Sequence, residues 1–338
     1  MKRIDSKIVL IADRIDSFQN IELGSDFLEQ IEDAYFNEIY NGLKEICKEV
    51  IHYQSPKDFL KNIAKHKNDI VFPIWSGRHS RNRRALVPSI CEAYGLAYVG
   101  ADTYANIICQ DKLLSKQFAG KYGIKTADYL LYEGIEDNLL LQSLKLPLVI
   151  KPNFEGGSIG ISKDNLVYDY SQAKDKVHEL YSIYQQSILI EEFIPGQEVS
   201  IILLGNSNNI SFSEVVELYC QKGNLDFEKN IYSYEIKKEH NDICLAHKLI
   251  TDIFPDETLN QAHSMFKKLG KVEAIRIDGR FNGKDFYLIE LSPDIHFGVG
   301  CTFSDAFKLC GISYIDMLYM ILKNTINNYK SDGILKCQ

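Results

Sequence analysis

The chain contains no apolar run long enough to cross a bilayer, which takes about 20 residues. Its N-terminus, MKRIDSKIVLIADRID, does not read as a signal sequence, since the apolar core IVLIA is too short and charges follow at once. Cysteines stand at 47, 91, 109, 220, 244, 301, 310 and 337, with no CxxC and no Cys/His cluster. That spacing argues against zinc and against a disulfide framework, and for reduced thiols in a cytoplasmic protein. Basic charge is not in excess either. The net charge of -8 gives no global case for nucleic acid, so an anionic substrate would need a local basic site. The first strand-to-helix turn, ADRIDSFQNIELGS, lacks GxGxxG, and GxxxxGK[ST] is absent throughout. That argues against a classical dinucleotide site, and there is no P-loop motif.

What remains is a globular composition, 45% apolar and 25% charged, in 338 residues. That length allows two or more packed units sharing clefts. KIVLIA (7–12), EVIHY, DIVFPIW (69–75) and LAYVG (96–100) read as strands. Helical spacing falls between them: after the capping-box pattern Asp26-x-x-Glu29, from Pro56, and through Ala85–Tyr94. This alternation predicts a parallel α/β sheet. A helix from about Thr103 to Lys121 follows. Then TADYLLY, LPLVIKP, IGIS, ILIEEF, EVSIILLG and ISFSEVVELY read as short strands with few helices between them, an α+β pattern with antiparallel pairing. A last helix is expected from Ser304 to about Asn327. The predicted division is 1–105, 106–190 and 191–338.

Four stretches carry candidate chemistry. KPNFEGGSIGIS (151–162) puts Lys151 at a strand end beside a Gly/Ser loop. Glycines let backbone N–H groups approach a phosphate, and lysine adds a point charge. A lysine snorkelling from a surface hairpin reads equally well. RIDGRFNGKDFYLIELSPD (276–294) is a hairpin on Asn282-Gly283. A three-residue connection, Asn282–Lys284, would pair Phe281 with Asp285 and Arg276 with Glu290. Asp278, Glu290 and Ser292 would then share a face suited to Mg²⁺ and phosphate; a two-residue loop would separate Asp278 from Glu290. The plain alternative is a surface salt bridge. SILIEEFIPGQEVSIILL (187–204) gives Glu191-Glu192-Phe193-Ile194, a Pro-Gly turn and Glu198, and bears reading as a simple acidic hairpin. NIYSYEIKKEH (230–240) offers Lys237 as a second phosphate cation or a solvated side chain.

These stretches, in this order and preceded by YVGADTYANIICQDKLLSK, resemble the ATP-grasp superfamily, and within it the D-alanine–D-alanine ligase branch. The resemblance covers about 100–325. It implies a pre-ATP-grasp α/β domain followed by an ATP-grasp fold of two α+β subdomains, with ATP and Mg²⁺ as cofactors. By that resemblance Lys112 and Lys151 contact the ATP phosphates, and Glu155, Gly157 and Ser158 lie in the loop that closes over them. Glu191, Glu192, Phe193 and Ile194 form the adenine hinge, with backbone of 192–194 on adenine and Glu198 on ribose. Lys237 reaches the terminal phosphates. Asp278, Glu290 and Ser292 form the metal set. Arg276, with Lys237 and Ser158, makes the catalytic group.

The implied reaction is a carboxylate–amine ligation through an acyl phosphate, releasing ADP and phosphate, on small-molecule substrates. It leaves room for a homodimer. Departures from the branch fall in the substrate pockets. Ser292 stands where the branch has Asn, Lys238 follows Lys237 where a tyrosine is expected, and FGVGCTF replaces the acceptor segment. The expectation is therefore a ligase for substrates other than two D-alanines. The alternatives are an ATP-grasp cyclase or ligase on a non-amino-acid carboxylate, and a nucleotide-binding protein without catalysis. WSGRHSRNRRA adds Arg78, Arg81, Arg83 and Arg84, either a site for an extra substrate anion or solvated arginines at a helix start.

Overall fold

The computed structural model describes residues 3–15, 31–77, 81–135, 140–222, 225–238, 244–293 and 296–331. Asp26, Glu29, Arg78 and Cys337 lie outside them.

Strand β1 (Ile4–Ile11) is the centre of a parallel sheet. Its neighbours are β4 (Cys47–Tyr53) and β5 (Ile70–Pro73), and β6 (Ala97–Tyr98) pairs beyond β5. Two short strands, β2 (Arg14–Ile15) and β3 (Ile31–Glu32), pair in parallel beside this sheet. Ile8, Val9, Leu10 and Ile11 are fully buried, so β1 has the continuous apolar character of a strand covered on both faces. Helix α1 (Asp33–Ile46) follows β3, so it starts later than the sequence pattern suggested. Helix α2 (Pro56–Leu60) starts at the expected proline, with Ser55 accepting the Asp58 N–H. Helix α3 (Leu86–Tyr94) ends on Gly95 in the left-handed region.

The expected helix from Thr103 to Lys121 is two, α4 (Thr103–Gln110) and α5 (Lys112–Gly120). Asp111 is extended between them, and its side chain accepts the Leu114 N–H, so it stops one helix and caps the next. Strand β7 (Lys125–Thr126) follows. Strands β8 (Tyr129–Tyr132), β9 (Leu148–Pro152), β10 (Leu166–Val167) and β11 (Ile188–Glu192) form an antiparallel sheet in the order β10-β9-β11-β8. Helix α6 (Tyr170–Tyr184), absent from the sequence reading, covers it with Ala173, Val177 and Leu180. IGIS is a turn, not a strand.

The third sheet has the order β14-β13-β12-β15-β16-β7. Its strands are β12 (Gln197–Gly205), β13 (Ile210–Cys220), β14 (Leu245–Leu249), β15 (Ala274–Phe281) and β16 (Phe286–Ser292). Helix α7 (Tyr234–Lys238) precedes β14, and helix α8 (Asp256–Lys268), also unforeseen, precedes β15. α5 and α8 bury Phe118, Ala119, Met265 and Phe266 against Ile201, Leu203, Ile275 and Ile277 on one face of the sheet. Strand alternation then turns Arg276, Asp278 and Arg280 to the other face. The C-terminal helix is also two, α9 (Thr302–Leu309) and α10 (Tyr314–Ser331). Gly311 between them, at φ 75°, takes a conformation few other residues adopt. α10 returns to the first sheet, burying Met317, Leu318 and Ile321 in the core with β1.

Candidate active site

The β15–β16 hairpin differs from the expected register. The connection has four residues, Asn282 to Asp285, and Phe281 pairs with Phe286, not Asp285. Asn282 Oδ1 accepts the N–H groups of Lys284 and Asp285, at 3.1 and 2.8 Å, which closes the longer turn. Continued without interruption, this register would pair Asp278 with Ile289 and point Glu290 to the wrong face. A bulge intervenes: Gly279 pairs with Leu288 but Asp278 with Glu290. Arg276 therefore faces Ser292, not Glu290. Asp278 and Glu290 still share a face, because the bulge supplies the residue the turn had shifted.

Around this pair the charges are dense. Arg276 Nε donates to both oxygens of Asp278, at 2.8 and 2.9 Å, and Ser200 Oγ donates to Oδ1 at 2.6 Å. Lys112 Nζ is 3.7 Å from Glu290 Oε2. Burial pushes the Asp278 carboxyl above its usual range; Arg276 opposes that shift and Glu290 adds to it. Against the same effect of burial, Lys112 and Arg276 hold Glu290 below its usual range. Two carboxylates facing each other in a buried site are costly, and a divalent cation relieves that cost. Among the described residues no group of three or more His, Cys, Asp or Glu side chains could hold a metal. Two carboxylates leave the remaining positions to water and phosphate oxygens, which suits Mg²⁺.

Strand alternation also explains Lys151. Leu148 and Ile150 of β9 face the core under α6, so Val149 and Lys151 face the cleft. Lys151 is buried, with its Nζ on Glu191 Oε2. Lys116 takes the other oxygen of Glu191 and donates to Leu288 O at 3.1 Å. Against the effect of burial, Lys116 and Lys151 hold Glu191 below its usual range. Sequence reasoning missed Lys116. Its signal was the spacing of four from Lys112, which puts both on one helix face.

Beyond Lys151 the chain makes its glycine loop. Gly157, Ser158 and Gly160 have φ of 62°, 65° and 73°. Ser158 Oγ donates to Tyr232 O at 3.1 Å, and Lys237 Nζ reaches Gly157 O at 3.4 Å. Burial, with Arg276 nearby, lowers the Lys237 pKa from the usual lysine value. At the hinge after β11, the N–H of Glu192 goes to Asp128 O and that of Phe193 to Pro147 O. Of the backbone N–H groups of 192–194, that of Ile194 is left without a partner among the described residues. Glu198 is held by Arg280 at 3.1 Å.

These residues converge on a cleft of about 410 Å³. Lys112, Lys151, Gly157, Ser158, Glu191, Glu192, Phe193, Ile194, Glu198, Lys237, Arg276, Asp278 and Glu290 all line it. Glu155 and Ser292 line instead a larger cavity of about 690 Å³, reaching the first sheet at Tyr35, Glu38, Trp75 and Arg84. Lys112, Gly157, Lys237, Arg276, Glu290 and His296 belong to both linings. The charged groups of the cleft's lining balance, with Lys112, Lys151, Lys237, Arg276 and Arg280 against Glu191, Glu192, Glu198, Asp278 and Glu290. The basic groups nearest the glycine loop are Lys112, Lys151 and Lys237, where phosphate oxygens would meet them.

The arginine stretch does not converge on one point. Arg83 is buried against the glycine loop, Arg84 lines the larger cavity and Arg81 is exposed. Asp13, also unforeseen, caps the N–H groups of Ser76 and Gly77 at 3.0 Å each. Its signal was the one noticed at Lys151: a buried strand that ends in a charge.

The family described as D-ala D-ala ligase C-terminus matches residues 121–323, more than half of the chain. The D-alanine--D-alanine ligase of Acetivibrio thermocellus is 28% identical over 80% of this chain and 72% of its own. That of Wigglesworthia glossinidia brevipalpis is 28% identical over 68% of this chain and 61% of its own. That of Carboxydothermus hydrogenoformans is 25% identical over 84% and 90%. Among solved structures, D-alanine--D-alanine ligase from Bacillus anthracis complexed with ATP superposes with a TM-score of 0.71 at 19% identity, covering 97% of this chain and 99% of that one. VanG D-Ala:D-Ser ligase from Enterococcus faecalis gives 0.68 at 18%, covering 95% and 100%. No helix among the described residues is long and apolar enough to cross a membrane. By the family match, in keeping with the fold, the chain belongs to the D-alanine–D-alanine ligase family of the ATP-grasp ligases, ADP-forming enzymes that use ATP and Mg²⁺ to join a carboxylate to an amine.

Proposed function

We propose that the protein ligates a small-molecule carboxylate to an amine, with at least one partner other than D-alanine. The observation that carries this is the shared wall. A cleft fit for a nucleotide and a cavity fit for small substrates meet at Lys112, Gly157, Lys237, Arg276 and Glu290. When bound, ATP would supply the phosphoryl group that turns a carboxylate oxygen into a phosphate leaving group, which the amine displaces from the carbonyl carbon, and Mg²⁺ would offset the phosphate charge. The protein's share is positioning and charge neutralisation. Lys112 and Lys151 would balance phosphate oxygens. Asp278 and Glu290 would hold the metal, with Ser292 displaced toward the substrates. Ile194 N–H would take adenine, and Glu198, oriented by Arg280, the ribose. Gly157 and Ser158, with Glu155 at the loop's base, would keep water from the reacting carbonyl. Arg276 and Lys237 would face the carbonyl oxygen as charge develops on it.

The rebuilt acceptor wall supports the substrate reading. Between β16 and α9 the chain places His296, whose ring stacks on Tyr35 with centroids 3.6 Å apart. Cys301 Sγ lies 3.1 Å from His296 Nδ1. The same fold serves a D-Ala:D-Ser ligase as well as D-alanine--D-alanine ligases.

The test is ADP release over a panel of carboxylate and amine pairs, with D-alanine alone as reference. The proposal expects a pair that outruns D-alanine alone. Fastest turnover on D-alanine alone would overturn it. ATP binding with no turnover on any pair would favour a non-catalytic binding protein, the reading that Ser292 in place of an amide keeps open.

A further inference from the structure

We propose that Arg83 is a positioning residue that latches the base of the glycine loop to the first-sheet domain, so that the substrate cavity and the nucleotide cleft report on each other. This rests on the reading of 156–160 as the loop that covers phosphates.

Arg83 lies in a single 3₁₀ turn, Arg83–Ala85, just before α3, and is only 4% exposed. Its Nη2 donates to Phe154 O and to Glu155 Oε2, each at 3.2 Å. The other Glu155 oxygen accepts from Gln186 Nε2 at 2.7 Å, and Gln186 Oε1 accepts the Phe154 N–H at 2.7 Å. Lys112 Nζ donates to Glu155 O. Phe154 and Glu155 are therefore held from the first-sheet domain, from α5 and from the segment before β11. The residues just beyond are of the opposite kind, with positive φ at Gly157, Ser158 and Gly160. The base of the loop is thus held by charged and amide side chains, and its tip separately by Ser158 on Tyr232 O and by Lys237 on Gly157 O.

The other end of the latch is also fixed. A β-carbon on Gly77 would come within 2.9 Å of Arg83 Cβ, so the arginine stem packs directly on that glycine. The Gly77 N–H is held in turn by Asp13 at the end of β1. Arg84, Val87 and Pro88, next in the chain, line the larger cavity. One short segment thus touches substrate space with one residue and the loop base with its neighbour. Removing a buried arginine from its carboxylate leaves that charge uncompensated. The loop base then disorders, and a nucleotide must order it on binding, at a loss of affinity. Because the segment is shared, a substrate that shifts the first-sheet domain moves Glu155 with it.

The test compares hydrogen exchange and nucleotide affinity in wild type, Arg83→Met and Arg83→Lys. The probes are the apoprotein and the non-hydrolysable analogue AMP-PNP with Mg²⁺. In Arg83→Met, exchange across 153–162 is expected to accelerate while α3 stays protected. AMP-PNP affinity is expected to fall about 10-fold, a typical coupling between sites. Arg83→Lys, which keeps the charge but not the planar fork, should recover part of each. Acceleration confined to α3, or wild-type exchange and affinity in Arg83→Met, would overturn the latch. If wild type itself binds no AMP-PNP, the nucleotide reading fails, while the apoprotein exchange comparison still decides the latch. Should Arg83→Met not fold, Glu155→Gln probes the same pair from the loop side, with the same two outcomes.

Discussion

Asp278 and Glu290 face each other across β15 and β16 because β16 carries one more residue than its partner at Ile289. The turn and the bulge each shift the ladder, and together they bring both carboxylates to the cleft. Glu290→Gln keeps the shape and removes one charged oxygen donor. Turnover is expected to fall by about 10²–10³, as when one preorganised charge is lost from a site. Because the deficit is in the hold on the cation, raised Mg²⁺ should recover part of it. The check is ADP release across a Mg²⁺ titration; a deficit indifferent to Mg²⁺ would remove Glu290 from the metal set.

Glu191 stands between Lys116 and Lys151, and the two ends of that triad differ. Lys151→Met leaves Glu191 paired with Lys116, so the fold should survive while nucleotide affinity and turnover drop. Glu191→Gln leaves two buried lysines without their carboxylate and is expected to cost about 3–5 kcal/mol of stability. Urea unfolding of both variants orders them, and an equal loss would refute the shared-carboxylate account.

Asp13 gives a pH signature. Burial raises its pKa from 3.8 to about 6, against the N–H groups of Ser76 and Gly77 that pull it down. The folded state thus holds the proton more tightly than the unfolded chain. Its contribution to stability is full below pH 3.8 and is lost as pH rises through about 6. The size is about 2–3 kcal/mol at the usual 1.36 kcal/mol per unit. Asp13→Asn cannot titrate, so wild type should lose stability relative to it by that amount as pH rises across the window. Parallel pH curves for the two proteins would contradict the assignment.

Gly279 sits between Asp278 and Arg280. A β-carbon there would lie 2.4 Å from the Phe286 ring and from Tyr287 O. Gly279→Ala must part the two strands beside the bulge, at a cost of about 1–3 kcal/mol. Thermal unfolding should show the loss, and the Mg²⁺ dependence of ADP release should weaken with it. Wild-type values for both would mean that the hairpin tolerates the movement.

The strands were legible wherever apolar residues alternated or ran together, as in KIVLIA, LPLVIKP and EVSIILLG. The site was legible because charges stand at strand ends and on one face of β15. Helices α6 and α8 were missed because their apolar positions are sparse: α6 buries only Ala173, Val177 and Leu180. The breaks at Asp111 and Gly311 went unread because the apolar spacing carries on across both. The hairpin register could not be settled from Asn282-Gly283, since a side-chain bond from Asn282 lengthens the turn and a distant bulge corrects it. The Arg83–Glu155 pair joins residues 72 apart in sequence, and no local pattern encodes such a contact.

The central claim is that a carboxylate and an amine meet a Mg²⁺-bound nucleotide at the wall of Lys112, Lys237, Arg276 and Glu290. Its most direct test is ADP release by wild type, Lys151→Met and Glu290→Gln, with and without a mixed pool of carboxylates and amines. The account predicts Mg²⁺-dependent release that the pool stimulates in wild type, with both variants folded and strongly impaired, and Glu290→Gln alone partly recovered by Mg²⁺. Unchanged, pool-stimulated release in both variants would contradict it.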